Sequence, residues 1–206
     1  MANPQPHSPF NGDNLIRHEL AVLIARFETK TIIETGTWSA HTTREFATMA
    51  PNVWTMDSTF EHLYEEFGPQ ARNELKYKGI NVILGDSAID LKYIIKKAVP
   101  PMLFYLDAHG GGANDSNVNP LLEELDQIGE YQHLVQGPII AIHDFKVPSK
   151  EWGYNGGDWG RGFEPLSYGL IKSRLERIYP NGHSYHYNEQ AEGMQRGIIY
   201  VYPSGD

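Results

Sequence analysis

Six residues that can accept, hold or move a proton recur at matching places along this chain. Glu34, Asp57, Asp86 and Asp107 each sit at or just after the end of a short apolar run, and His143-Asp144 closes another. An ionised carboxylate only accepts hydrogen bonds, so a row of them suits a ligand that presents hydroxyl, amino or ammonium groups. A histidine near a carboxylate can take a proton from a hydroxyl close to neutral pH.

These residues meet only if the apolar runs are neighbouring strands that point the same way. Runs at 30–35, 53–56, 80–84, 102–106 and 138–142 read as strands. Helical patterns separate them. Ile16, Leu20, Leu23, Ile24 and Phe27 lie on one face of a helix over 14–27. Further helices are expected over 41–49, over 60–78 with a break at Gly68-Pro69, over 87–97, and from Asn119-Pro120. The run 102–106 is apolar throughout, as a strand buried on both faces requires. Alternating strands and helices build a parallel sheet, and ligands of open α/β sheets bind at the carboxyl ends of the strands.

The rhythm breaks after residue 145, where a stretch of aromatics and glycines fits no period. A loop of that length inside a compact domain is usually functional or disordered. It reads as a lid or insert at about 146–165, with Trp152, Tyr154, Trp159 and Arg161 as candidate contacts to an acceptor. A helix over 167–179 follows, then runs at 184–187 and 198–202 with no helix between them, which should pair antiparallel. The expected fold class is α/β: a Rossmann-like three-layer sandwich with a seven-stranded, mostly parallel sheet and a C-terminal antiparallel hairpin. Residues 1–13, rich in Pro, Asn and Gly, read as a flexible N-terminal arm, and 14–206 as a single domain.

The segment 31–43, TIIETGTWSAHTT, narrows the ligand. A strand runs into Gly36, where the missing Cβ would let a ligand approach the backbone. Asp57 follows Gly36 by 21 residues, the place of a ribose-binding carboxylate. A dinucleotide needs G-x-G-x-x-G so that its pyrophosphate reaches a helix N-terminus. Here Trp38 stands at the second glycine, and Glu34 would repel phosphate. The turn therefore suits an adenosyl ligand with an ammonium group and no phosphate: S-adenosylmethionine.

The segment ETGTWSAHTT, with Asp57, Gly85-Asp86-Ser87, FYLDAH and IIAIHDF in order, resembles the motifs of class I S-adenosylmethionine-dependent methyltransferases. The likeness spans about residues 15–203 and is strongest to the small O-methyltransferases similar to catechol O-methyltransferase. It implies that Glu34, Gly36, Thr37, Trp38 and Ser39 contact the methionine moiety, Asp57 the ribose, and Asp86 and Ser87 the adenine. Asp107 would contribute to the cofactor site as well. It also implies that Asp107, His143 and Asp144 would hold a divalent cation, Mg2+ or calcium for the oxygen ligands or manganese or another transition metal for the histidine, which would orient and acidify the acceptor hydroxyl. The catalytic lysine of the catechol enzymes is absent, and the sequence reads Asp107-Ala108-His109 there, so His109 or His143 would act as base.

The bulk properties bound the partners. The chain has 206 residues, enough for one full core, with 26 acidic and 17 basic residues and a net charge of -9. Such a surface repels phosphate backbones, so no nucleic-acid partner is expected. No apolar run reaches transmembrane length, and no secretory h-region is visible, so a cytoplasmic protein with no membrane partner is expected. There is no cysteine, which removes disulfides, zinc-thiolate sites and cysteine nucleophiles. The expected acceptor is a small molecule or glycan, and a homo-oligomer is compatible with the sequence. Two other classes fit less of the pattern. One is a non-catalytic cofactor- or glycan-binding module on the same fold. The other is an NAD-dependent oxidoreductase, against which the missing glycines and the final hairpin argue.

Overall fold

The structure is a computed structural model that describes residues 8–108, 119–151 and 166–205. The chain runs through α1 (Asn14–Arg26), β1 (Thr31–Thr35), α2 (His41–Met49), β2 (Asn52–Asp57), α3 (Glu61–Phe67) and α4 (Ala71–Tyr77). It continues through β3 (Ile80–Leu84), α5 (Ser87–Ile95), β4 (Met102–Leu106), α6 (Leu121–Glu130), α7 (Gln132–Val135) and β5 (Ile139–His143). It ends with α8 (Tyr168–Ile178), β6 (His183–Tyr187) and β7 (Ile198–Pro203). The seven strands form one sheet in the order β3-β2-β1-β4-β5-β7-β6. The pairs among β1 to β5 are parallel, and β7 pairs antiparallel with both β5 and β6.

Local chemistry sets the element ends. Asp13 caps α1, its Oδ1 accepting from the N–H groups of Leu15 (2.9 Å) and Ile16 (3.3 Å). Asp86 caps α5 through the N–H of Ala88 at 2.9 Å. The break expected at Gly68-Pro69 separates α3 from α4, with Gly68 at φ 78°.

Strand alternation divides the core between the two faces of the sheet. Ile32, Leu103, Tyr105, Ala141 and Tyr200 pack with α1 and α2 on one face. Ile33, Phe104, Leu106, Ile140, Ile142, Ile199 and Val201 pack with α5, α6 and α8 on the other. All five residues of each of β1, β4 and β5 are buried, which explains the unbroken apolar composition of β4 and leaves Glu34 and His143 as polar groups inside β1 and β5.

Register then fixes the rim. Thr35 stands opposite Met56 in β2 and Leu106 in β4, and Leu106 stands opposite Ile142 in β5. The residues that follow these positions, Gly36, Asp57, Asp107 and His143, must therefore emerge side by side.

Of the expected arm, residues 8–13 are described. Residues Pro9–Gly12 form a 3-10 turn, and Phe10 is 2% exposed. Its ring meets Phe46 edge-on at 5.4 Å and Tyr105 at 5.9 Å. Burying one aromatic ring against two others outweighs the loop-forming composition around it. Residues 152–165 lie outside the described residues. At the base of the expected insert, the Lys146 N–H donates to the Leu166 carbonyl at 3.0 Å, so the chain leaves and returns at one point. Among the described residues, no helix is long and apolar enough to cross a membrane.

Candidate active site

The turn after β1 is built from the inside. Glu34 is 1% exposed, and its Oε2 accepts from the hydroxyls of Thr43 in α2 and Thr55 in β2, the latter at 2.6 Å. Thr55 has one hydroxyl hydrogen, already given to Glu34, so it accepts from Thr37 at 2.7 Å. This relay ties the turn to β2 and α2. Burial pushes the Glu34 carboxyl up to about 8. The Thr43 and Thr55 hydroxyls offset part of that rise, and the nearby Asp107 and Asp57 charges add to it.

Gly36 has φ 85°, and an added Cβ would lie 2.4 Å from the Asp107 carbonyl oxygen. The space expected for a ligand is thus taken by the backbone that follows β4. The glycine is required because two neighbouring strand ends touch there. Trp38 (φ 46°) and Ala40 (φ 60°) are also left-handed. Two left-handed non-glycine residues so close together are a store of backbone strain, which tends to collect at functional sites. Thr37 and Ser39 are buried, while Trp38 is 51% exposed and stacks on the ring of His62 in α3 at 3.6 Å.

Asp57 is held beside this turn. Its Oδ2 accepts from the Trp38 N–H at 2.9 Å and its Oδ1 from the Thr59 N–H at 3.1 Å. Burial raises its pKa, against the pull of the Trp38, Thr59 and Ser58 amides. Each oxygen keeps a further lone pair for a ligand hydroxyl. Asp86 is exposed at the head of α5, whereas Ser87 is buried, and its carbonyl accepts from Gln127 Nε2 at 2.8 Å.

The structure brings Asp107, His143 and Asp144 together, one ligand atom of each lying within 4.8 Å of the others. His143 is 1% exposed, with Nδ1 3.0 Å from Asp107 Oδ1 and 3.5 Å from Asp144 Oδ1. Burial opposes its charge, but the two carboxylates prevail and push His143 up to about 10. The Asp107 side chain is 28% exposed, so it is the member of the group that faces the crevice, with His143 behind it. Arg196, in the loop between β6 and β7, places NH1 3.4 Å from Asp144 Oδ1.

This arrangement bears on the expected divalent cation. Both neighbours of His143 Nδ1 are carboxylate oxygens, so Nδ1 carries the hydrogen, and Nε2 is the nitrogen a metal would use. A guanidinium already neutralises Asp144. A cation here would have to compete with this ion pair and with the Asp107–His143 hydrogen bond.

Sequence reasoning missed four residues here. Thr55 was within reach of strand alternation, lying two positions before Asp57. Thr43, His62 and Arg196 carry no local signal, because each acts through a neighbour distant in sequence. His109, Trp152, Tyr154, Trp159 and Arg161 lie outside the described residues.

Known structures share this architecture at low identity. A candidate caffeoyl-CoA O-methyltransferase from Staphylococcus aureus superposes with TM-score 0.54 and 14% identity, over 92% of this chain and 83% of its own. A candidate methyltransferase from Streptococcus mutans, solved in complex with SAH, gives 0.53 and 10%, over 90% and 96%. An rRNA methylase from Streptococcus thermophilus gives 0.54 and 12%, over 92% and 97%. No protein-family model matches the chain, and no curated protein matches its sequence. Strand order, the final antiparallel pair and these likenesses lead to one conclusion: this chain has the Rossmann-like fold of the class I S-adenosylmethionine-dependent methyltransferases.

Proposed function

We propose that this protein is an S-adenosylmethionine-dependent methyltransferase that methylates a hydroxyl of a small molecule or glycan. The observation that carries the reading is the shared rim. The strained Gly36–Ala40 turn, Asp57 and Asp107 are neighbours at the carboxyl ends of β1, β2 and β4. Carboxylates there fit a ligand that offers ribose hydroxyls, amino groups and a sulfonium charge, and they disfavour a pyrophosphate. The net charge of -9 supports a small acceptor over a nucleic acid.

S-adenosylmethionine, when bound, supplies an activated methyl group whose carbon–sulfur bond breaks as the acceptor oxygen attacks. The chain's own residues bind and orient. Asp57 takes the ribose hydroxyls, and Asp86 stands at the adenine end. Asp107, the exposed partner of His143, accepts the proton that the acceptor hydroxyl loses. His143 holds Asp107 in place through Nδ1.

The test is calorimetric titration with S-adenosylhomocysteine. The chain should bind it saturably, and Asp57→Ala should weaken binding by about tenfold, the loss of about 1.4 kcal/mol. No binding, or binding indifferent to Asp57→Ala, sinks the reading. Asp107→Asn should lose methyl transfer to a hydroxyl acceptor.

A further inference from the structure

Among the described residues, Arg196 is a charged group beside this cluster that no sequence motif announces. Four contacts hold it there. Antiparallel pairing sets His143 opposite Ile198, so the residues just before β7 lie over the end of β5. The Phe145 N–H donates to the Gly197 carbonyl at 2.9 Å. Gly197 packs so closely on Phe145 that a Cβ would stand 2.0 Å from its carbonyl oxygen. Buried Asn188 closes the loop from the other side. Its Nδ2 donates to the Arg196 carbonyl at 2.9 Å, and its Oδ1 accepts from the Ile198 N–H at 2.8 Å. The backbone of residues 196–198 is thus clamped to residues 143–145. The Arg196 guanidinium reaches the buried Asp144 carboxylate, which itself sits in a left-handed conformation at φ 53°.

A guanidinium remains charged at any pH the protein survives, and it needs no open coordination position. Beside Asp144 it supplies positive charge to a carboxylate that a divalent ion would otherwise share. A second cation would meet it at close range in a partly desolvated setting, where like charges repel strongly.

We propose that Arg196 is the built-in counter-cation of this crevice, a positioning residue that fixes Asp144 and makes the site metal-independent. The proposal rests on the methyltransferase reading for its catalytic meaning, but the ion pair is a property of the chain alone. With Asp144 neutralised from within, Asp107 is left as the crevice-facing carboxylate. The acceptor hydroxyl is then oriented by side chains and not by a shared metal.

The experiment is titration of the full chain with Mn2+, with thermal melting in Mn2+ or EDTA as a second readout. The variants are Arg196→Ala, Arg196→Lys and the double variant Arg196→Ala/Asp107→Asn. The wild type should show no saturable Mn2+ binding in the micromolar range, and its melting and methyl transfer should be indifferent to EDTA. Arg196→Ala should gain Mn2+ affinity by at least about tenfold, the scale on which neighbours of a metal site act. Arg196→Lys should behave as wild type, and the double variant should lose the gain. Saturable, Asp107-dependent Mn2+ binding by the wild type overturns the proposal, and so does an Arg196→Ala chain whose Mn2+ affinity is unchanged. If Arg196→Ala does not fold, the wild-type titration and Arg196→Lys still decide. S-adenosylhomocysteine titration in parallel separates the two readings. Its failure sinks the methyltransferase assignment and leaves the ion pair standing, whereas Mn2+ binding does the reverse.

Discussion

Glu34 and Glu124 are buried carboxyls on opposite faces of the sheet, at 1% and 0% exposure. Glu34 has two threonine hydroxyls to accept from. Glu124, in α6, has the hydroxyls of Ser87 and Thr35 nearby, yet neither closes a well-formed hydrogen bond to it. Burial pushes Glu34 up to about 8 and Glu124 to about 7, from an ordinary value of 4.5. A carboxyl whose folded pKa is raised binds its proton more tightly when folded. Its contribution is present at low pH and fades as pH rises through the window from 4.5 to about 7 or 8. His143 has the same sign, being raised from 6.5 to about 10, so its contribution fades above 6.5. The melting temperature should therefore fall steadily from mildly acidic to alkaline pH. Glu124→Gln should remove part of that slope, raising the melting temperature above pH 7 relative to wild type and changing it little below 4.5. Parallel slopes for the two proteins would refute this account of Glu124.

At the scale of elements, the 3-10 turn Pro9–Gly12 and the β6–β7 hairpin both act as clasps. The turn inserts Phe10 between α2 and β4, against Phe46 and Tyr105. Those two rings pack on each other at 5.2 Å. Truncating a buried aromatic of this kind costs about 3–5 kcal/mol. Phe10→Ala should lower unfolding stability by that order in a urea titration. A change below about 0.5 kcal/mol, the ordinary scale for surface positions, would mean that the segment is loosely attached. The composition of residues 1–13 hid this, because turn-forming residues surround the single aromatic that anchors the segment.

Across the whole molecule, the site is where separate parts of the chain converge, and the hairpin supplies the last of them. Gly197 is the tightest of these joints, its missing Cβ leaving room for the Phe145 carbonyl. Gly197→Ala should force the hairpin off β5. An overpacked contact of this kind costs about 1–3 kcal/mol. The same variant should loosen the Arg196–Asp144 pair, so in a Mn2+ titration it should move in the direction of Arg196→Ala. Loss of stability with no change towards Mn2+ would mean that the loop holds Arg196 independently of the joint. The Glu34–Thr55–Thr37 relay has a similar reach, linking α2, β1 and β2 beneath the turn.

The sequence by itself determined the layers and the rim. Apolar runs that end in an acid, separated by helical periods, leave a parallel sheet with its carboxylates along one edge as the simplest arrangement. Trp38 in place of a second glycine turned that edge away from a pyrophosphate. Tertiary structure decided which of those groups face the crevice and which face each other. Gly36 answers to the carbonyl of Asp107, and His143 stands behind Asp107. Asp144 is met by an arginine 52 residues further along the chain. Period and turn chemistry act over a few residues and can be read along a line. Packing, desolvation and ion pairing depend on distance in space, and the register of the hairpin sets that distance.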